Sequence, residues 1–394
     1  MTEMPSFLRS RLWASVLSAL FIGVVWLAAE RPAAVPVPHE YSPDLPQGFP
    51  KLKLPPDNPM SETKVLLGRY LFYDKRLSVN ATRSCADCHR QGLAFTEGHA
   101  VSTGATGQMH SRSAMSLVNV AYNTVLTWSN PGLRSLEEQV LVPLFGEHPV
   151  ELGMRGKEAA LLTLVRNDPV YAPLFPVSFP KEQDPYTVRN LAKAIATFER
   201  TILSGRSPYD RFHLGDRRAI SEAAQRGEVL FFSEPFQCFR CHGGFDFSDV
   251  TESSPRFHNT GLYNASGPFS YPAPNLGIFE YTRRAQDVGK FRTPTLRNIA
   301  VTGPYMHDGS VPTLEAAIDH YAAGGRTLVS GPLAGKGYAN PNKDPLIAGF
   351  QLSPQNRADF VAFLGSLTDE ELLHDVRFSN PWRKTAIRRP DRVK

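Results

Sequence analysis

Hydrophobic positions along this chain follow two patterns, one long run near the amino terminus and a series of short, helically spaced clusters beyond it. Arg9 and Arg11 precede a predominantly apolar stretch from Leu12 to Ala29, after which Glu30-Arg31-Pro32 opens a proline-rich segment. A basic start, an apolar middle and a polar exit are the layout of a secretory signal. At about 18 residues the run is also just long enough to span a bilayer, so an uncleaved anchor stands beside a cleaved signal as an alternative. Residues 1–30 are read as signal peptide or anchor and 31–57 as a proline-rich linker. No later run reaches that length, so the remainder is expected to be soluble.

The short clusters predict helices. Ser61-Glu62 through Phe72, and Ser221-Glu222 through Phe231, each set apolar residues at helical spacing behind a capping serine. Val188 to Leu203 reads as an amphipathic helix, and Ser135-Leu136-Glu137-Glu138 and Thr313-Leu314-Glu315-Ala316 read as capped helix starts. With 33 prolines and 29 glycines in 394 residues, these helices must be joined by much irregular chain. The predicted class is mainly α and loop-rich.

All four cysteines fall in two C-x-x-C-H motifs, Cys85-Ala86-Asp87-Cys88-His89 and Cys238-Phe239-Arg240-Cys241-His242. The pattern is that of a c-type haem, whose vinyl groups take both thiols while the adjacent histidine becomes the proximal iron ligand. A redox dithiol does not call for the histidine, and a zinc ribbon more usually brings four cysteines at closer spacing. Two covalently bound haems are therefore expected, and their attachment agrees with export to the periplasm. The formal charge of +5 is modest beside four propionates. The basic end (Arg383, Lys384, Arg388, Arg389, Arg392, Lys394) reads as a solvated tail, with no nucleic-acid role.

With the haem motifs as anchors, an internal duplication is expected. Ser116-Leu117-Val118-Asn119-Val120-Ala121 matches Thr295-Leu296-Arg297-Asn298-Ile299-Ala300, and the two capped starts follow in register to within one residue. The chain then reads as two cytochrome c-like haem domains, 58–207 and 208–372, with a basic tail at 373–394. Six residues beyond Glu137 and Glu315 lie Pro143 and Tyr321. If that helix covers each haem, a phenol closes the second iron while the first faces a side chain that cannot coordinate. The competing reading is that Tyr321 is an ordinary aromatic beside Ala317 and Ile318, aligned with Pro143 by accident.

Phe291-Arg292-Thr293-Pro294-Thr295-Leu296-Arg297-Asn298 followed by Thr302-Gly303-Pro304-Tyr305-Met306-His307-Asp308-Gly309-Ser310 resembles the bacterial dihaem cytochrome c peroxidase and MauG superfamily. The resemblance runs from about Asn58 to about Leu367. It implies that Tyr321, 17 residues after Pro304, is the distal ligand of the second haem, where ordinary peroxidases carry Met and the MauG branch Tyr. Gln139, Pro143 and Glu151 resemble the distal pocket of the peroxidatic first haem, although the Pro-to-Glu segment is longer here and leaves Glu147 as an alternative to Glu151. A carboxylate there would move a proton between the oxygens of peroxide. Trp128 falls where the family has an electron relay between the haems, against the ordinary reading of a buried core tryptophan. The resemblance also implies a calcium ion between the haems, held through Thr302, Pro304 and an Asn position occupied here by Ser113, a weaker ligand. His99 and His110 stand where ordinary peroxidases carry a removable distal histidine, and surface roles are expected for both.

Trp128-Ser129-Asn130-Pro131, Leu144-Phe145-Gly146-Glu147 and Arg377-Phe378-Ser379-Asn380-Pro381-Trp382 further resemble the MbnH-type dihaem enzymes of methanobactin-associated clusters, which implies oxidation of a tryptophan on an exported partner protein through a high-valent dihaem state. Two other classes stand beside this one. A detoxifying cytochrome c peroxidase, fed by a small c-type cytochrome, would be favoured by Met at position 321. A plain electron carrier would want both irons fully ligated and leaves Pro143 unexplained.

Overall fold

The computed structural model describes residues 39–251, 256–264 and 271–383. The expected signal or anchor, the start of the linker and the last basic residues lie outside them. Among the described residues no helix is long and apolar enough to cross a membrane. The helices in chain order are α1 (Glu62–Tyr73), α2 (Cys85–Cys88), α3 (Leu136–Phe145), α4 (Glu158–Asn167), α5 (Tyr171–Ser178), α6 (Val188–Glu199), α7 (Pro208–His213), α8 (Glu222–Phe231), α9 (Phe279–Thr282), α10 (Leu314–Ala322), α11 (Pro354–Gly365) and α12 (Glu370–His374). Two antiparallel pairs of two-residue strands accompany them, Phe257–His258 with Phe291–Arg292 and Thr327–Leu328 with Gly335–Lys336. The class is mainly α with long irregular connections, as expected.

The caps lie where the polar pattern puts them. Ser61 accepts from the Lys64 N–H, Ser135 from Glu138, Ser221 from Ala224 and Thr313 from Ala316, each satisfying an amide that the first helical turn leaves unpaired. The helix expected over Val188 to Leu203 is shorter, ending at Glu199 because residues 200–203 turn away through bonds such as Thr201 N to Phe198 O and Ile202 N to Glu199 O.

Two helix pairs form the frame. α1 packs against α6 and α8 against α11, each crossing at a glycine. A β-carbon on Gly68 would sit 1.9 Å from the Ala194 carbonyl oxygen, and one on Gly227 would sit 2.0 Å from that of Asp359, so both crossings depend on a missing side chain. Around the first pair lies a core that includes Leu67, Leu71, Phe72, Phe95, Ile195 and Phe198; around the second lies one of Phe231, Phe247, Phe360, Phe363 and Leu367.

The matched asparagines explain themselves here. Asn119 and Asn298 both adopt left-handed backbone (φ 57° and 62°) and meet at Ser204. Asn119 exchanges side-chain bonds with the Ser204 backbone (2.9 and 3.0 Å), while Asn298 donates to its hydroxyl (3.0 Å) and accepts from the Asp369 N–H (2.8 Å). Ser204, Asn119 and Asn298 are fully buried.

One expectation changes. Residues 375–382, set apart above within a solvated basic tail, fold back on α1. Arg69 donates to the Ser379 carbonyl, Tyr73 to that of Phe378, and the Trp382 indole to that of Tyr70 (3.0 Å). A tryptophan and a phenylalanine in this segment have apolar area to bury, and the indole N–H finds its acceptor there.

Candidate active site

Each haem motif is followed by a turn that prepares its histidine. His89 Nδ1 lies 2.8 Å from the Phe95 carbonyl and His242 Nδ1 3.0 Å from that of Phe247. A carbonyl accepts only, so both rings carry their proton on Nδ1 and leave Nε2 as a lone-pair donor. Phe95 and Phe247 reach this position through left-handed backbone (φ 59° and 49°). Nothing in the sequence signals these two carbonyls.

The thiols are free and half-buried. Burial pushes Cys88 and Cys238 up to about 12 and Cys85 higher, as apolar surroundings do to a thiol. Burial also raises the Tyr321 phenol, with Cys241 and Cys238 adding to the effect. The phenol therefore lies within electrostatic reach of the second pair of thiols. Two unpaired thiols, one lone-pair imidazole and, in the second site, a half-buried phenol are a donor set that fits a c-type haem at each motif. Cys85, Cys88 and His89 would hold the first, and Cys238, Cys241, His242 and Tyr321 the second.

The residues expected on the distal side of the first site lie on and just after α3. Gln139 and Pro143 lie one turn apart on that helix, and Pro143 offers no N–H to the Gln139 carbonyl. The chain then doubles back: Leu152 N–H donates to the Pro143 carbonyl (2.9 Å) and Met154 N–H to that of Leu144 (2.8 Å). Between these anchors sits Glu151, whose own carbonyl accepts from Ala105 N–H (2.6 Å). Burial alone pushes the Glu151 carboxyl up to about 7, and its charge is felt by both Cys85 and Cys88. Glu147, the alternative, is half exposed and paired with Arg155 at 2.9 Å. Of the two carboxylates, Glu151 faces the thiols.

α3 is itself clamped. Arg200 makes a two-pronged pair with Glu137 (2.7 and 2.8 Å), and Asn58 donates to the same carboxylate (2.6 Å). Against its burial, the hydrogen bonds and charge of Arg200 hold Glu137 below the usual carboxylate range. The sequence reading used Glu137 only as a counting mark. It also passed over Glu199, a buried carboxyl raised by burial to about 8 and felt by Cys85. A glutamate inside an otherwise apolar helix face was the available signal.

Trp128 joins segments far apart in sequence. Its indole donates to the Ser113 carbonyl (2.9 Å), its carbonyl accepts from Arg292 N–H (2.9 Å), and its ring meets His307 edge-on at 6.4 Å. Ser113 points its hydroxyl at the Met306 carbonyl (3.2 Å), and its N–H bonds that of His307 (2.8 Å). Thr302 donates to Ile299 (3.1 Å), and Pro304 follows a cis bond in the same turn. No trio of His, Cys, Asp or Glu suited to a metal ion occurs among the described residues. His99 is exposed and His110 half-buried.

Paired c-type haem motifs in a helix-rich fold, the first accompanied by a proline-bearing helix and a half-buried carboxylate, are the marks of a dihaem peroxidase. A family model described as di-haem cytochrome c peroxidase matches residues 62–218. The methylamine utilization protein MauG of Methylorubrum extorquens AM1 is 34% identical over 318 residues, 80% of this chain and 81% of its own. Cytochrome-c peroxidase IdrP1 of Denitromonas iodatirespirans is 33% identical over 357 residues, 83% of this chain and 87% of its own. Among solved structures, that of a MauG-like protein associated with microbial copper homeostasis is 46% identical, with a TM-score of 0.84 over 87% of this chain and 100% of that one. The chain belongs to the di-haem cytochrome c peroxidase family. It is an oxidoreductase acting on peroxide, and membership implies two c-type haems.

Proposed function

We propose that this chain is an exported peroxidase of MauG type, which uses hydrogen peroxide to oxidise residues, tryptophan foremost, of a partner protein. The observation that carries the reading is Tyr321, a half-buried phenol on α10 within electrostatic reach of Cys241 and Cys238. The bound haems would supply peroxide binding and storage of oxidising equivalents. A phenolate at the second iron favours higher oxidation states, where Met would raise the reduction potential and suit electron uptake from a cytochrome.

The chain's own groups divide the remaining work. Glu151, held beside the first pocket by the returning segment Leu152–Met154 and poised near neutrality, accepts and returns a proton. Gln139 orients the small ligand, and Pro143 keeps the distal side free of a coordinating side chain. Trp128, packed between the halves, conducts electrons between the two centres. The halves 58–207 and 208–372 are taken as duplicated domains. Their glycine crossings, histidine–carbonyl bonds and left-handed asparagines support that reading. A calcium ion near Ser113, Thr302 and Pro304 would rely mainly on carbonyl oxygens.

Purified dihaem protein mixed with equimolar peroxide tests the proposal by near-infrared absorption. A charge-resonance band shared by the two haems is expected, and it should vanish in Trp128→Phe. Absence of the band together with rapid turnover of reduced cytochrome c would assign the chain to the detoxifying class instead.

A further inference from the structure

The third core of the protein contains a line of rings that the peroxidase reading does not use. From Trp128 the line passes to His307 (centroids 6.4 Å), which stacks on Phe291 (3.7 Å, interplanar 13°) and lies over Tyr271 (5.9 Å, 29°). Tyr271 in turn meets Tyr263 edge-on at 5.4 Å. Each step is within ordinary aromatic contact. His307 is 5% exposed, with its Nε2 buried and unpartnered, and Tyr271 and Tyr263 are each 5% exposed. At the far end the Tyr263 hydroxyl donates to Oδ2 of Asp308 at 2.5 Å, while Oδ1 accepts from Ser310 N–H at 3.0 Å. The Arg326 guanidinium lies 4.5 Å from the Tyr263 ring centre and donates to the exposed Ser310.

We propose that Tyr263, with Asp308 as its proton acceptor, is a second oxidisable site, reached from Trp128 through the His307 and Tyr271 rings and bringing single oxidising equivalents to the face formed by Ser310 and Arg326. It rests on the reading of Trp128 as the relay. The chemistry balances as a proton-coupled step. The Tyr263 O–H bond breaks, its proton passes to Asp308 Oδ2, and its electron refills the hole on Trp128. Peroxide is the terminal oxidant and takes two electrons and two protons to become two waters: Tyr263 gives one of each, a residue of the proposed partner protein docked at the Ser310–Arg326 face returns the radical to the phenol by giving up one electron and one proton, and Tyr263 then supplies the second pair. Arg326 makes the coupling strict, because a cation over the ring opposes loss of an electron that leaves positive charge behind. The electron leaves only when the proton does. Against its own burial, the charge of His307 and then hydrogen bonds from Tyr263 and Ser310 hold the Asp308 carboxyl below its usual range, so it is ionised and has an oxygen free to accept the proton.

The test is freeze-quenched electron paramagnetic resonance on the full dihaem protein after equimolar peroxide, with natural and ring-deuterated tyrosine, recording near-infrared absorption on the same samples. A radical signal that narrows on deuteration is expected, lost in Tyr263→Phe and reduced about tenfold or more in Asp308→Asn, which keeps the ring and removes the base. A tyrosine signal that survives Tyr263→Phe overturns the assignment, as does one indifferent to Asp308→Asn. The near-infrared band without any tyrosine radical overturns this proposal and leaves the relay standing. Loss of both overturns the two together.

Discussion

The backbone N–H of Leu152 bonds the carbonyl of Pro143 at 2.9 Å, so the residue proposed to leave the first iron open also anchors the segment carrying Glu151, the proposed base. Glu151 and Pro143 therefore hold a set separation. Glu151 acts as a base only when ionised, and burial pushes it up to about 7. Below that value the carboxyl is protonated and cannot accept a proton. The rate of the peroxide step should accordingly rise with pH and reach half its plateau near 7. Glu151→Gln should slow it by about 10²- to 10⁴-fold and flatten the profile, as stopped-flow mixing with peroxide would measure.

Tyr321→Met tests the ligand that separates the two readings. Thioether in place of phenol should raise the reduction potential of the second haem, abolish the shared near-infrared band and increase turnover with reduced cytochrome c. Spectroelectrochemical titration of the variant checks the first, and an unchanged potential would remove Tyr321 from the iron.

Gly68→Ala and Gly227→Ala should each force a helix pair apart, because the added carbon would lie about 2 Å from a backbone oxygen. Overpacking of this kind costs about 1–3 kcal/mol. Thermal denaturation should show a fall of a few degrees in Tm for each, while Gly92→Ala, where nothing lies within 4 Å, should leave it unchanged.

Glu199 carries a stability signature of its own. Its carboxyl titrates at about 8 in the folded protein and at about 4.3 when unfolded. Its contribution is complete below the unfolded value and is lost as pH rises towards 8, since only the unfolded state ionises freely across that window. Glu199→Gln should flatten the decline in Tm between pH 5 and 8, as calorimetry of the dihaem protein would show.

Much of the frame was legible because it depends on local chemistry. Serine and threonine caps, helical spacing and paired C-x-x-C-H motifs are each written within a few residues, and Ser61, Ser135, Ser221 and Thr313 cap as read. What escaped depends on chain segments far apart in sequence. The Phe95 and Phe247 carbonyls need a left-handed turn that these residues do not advertise. The Arg200 clamp on Glu137 joins helices 63 residues apart. The return of Trp382 to Tyr70 spans 312 residues, and a basic composition hid the apolar side chains that drive it. Glu151 could be separated from Glu147 only once the irregular segment after α3 turned one towards the thiols and the other towards Arg155.

Ser204 sits where the two asparagines converge, so the connection between the halves behaves as a rivet and not as a tether. A pinned joint transmits displacement: with Asn119 and Asn298 both bonded to one buried serine, loosening either is expected to disturb the segments that follow both C-x-x-C-H motifs.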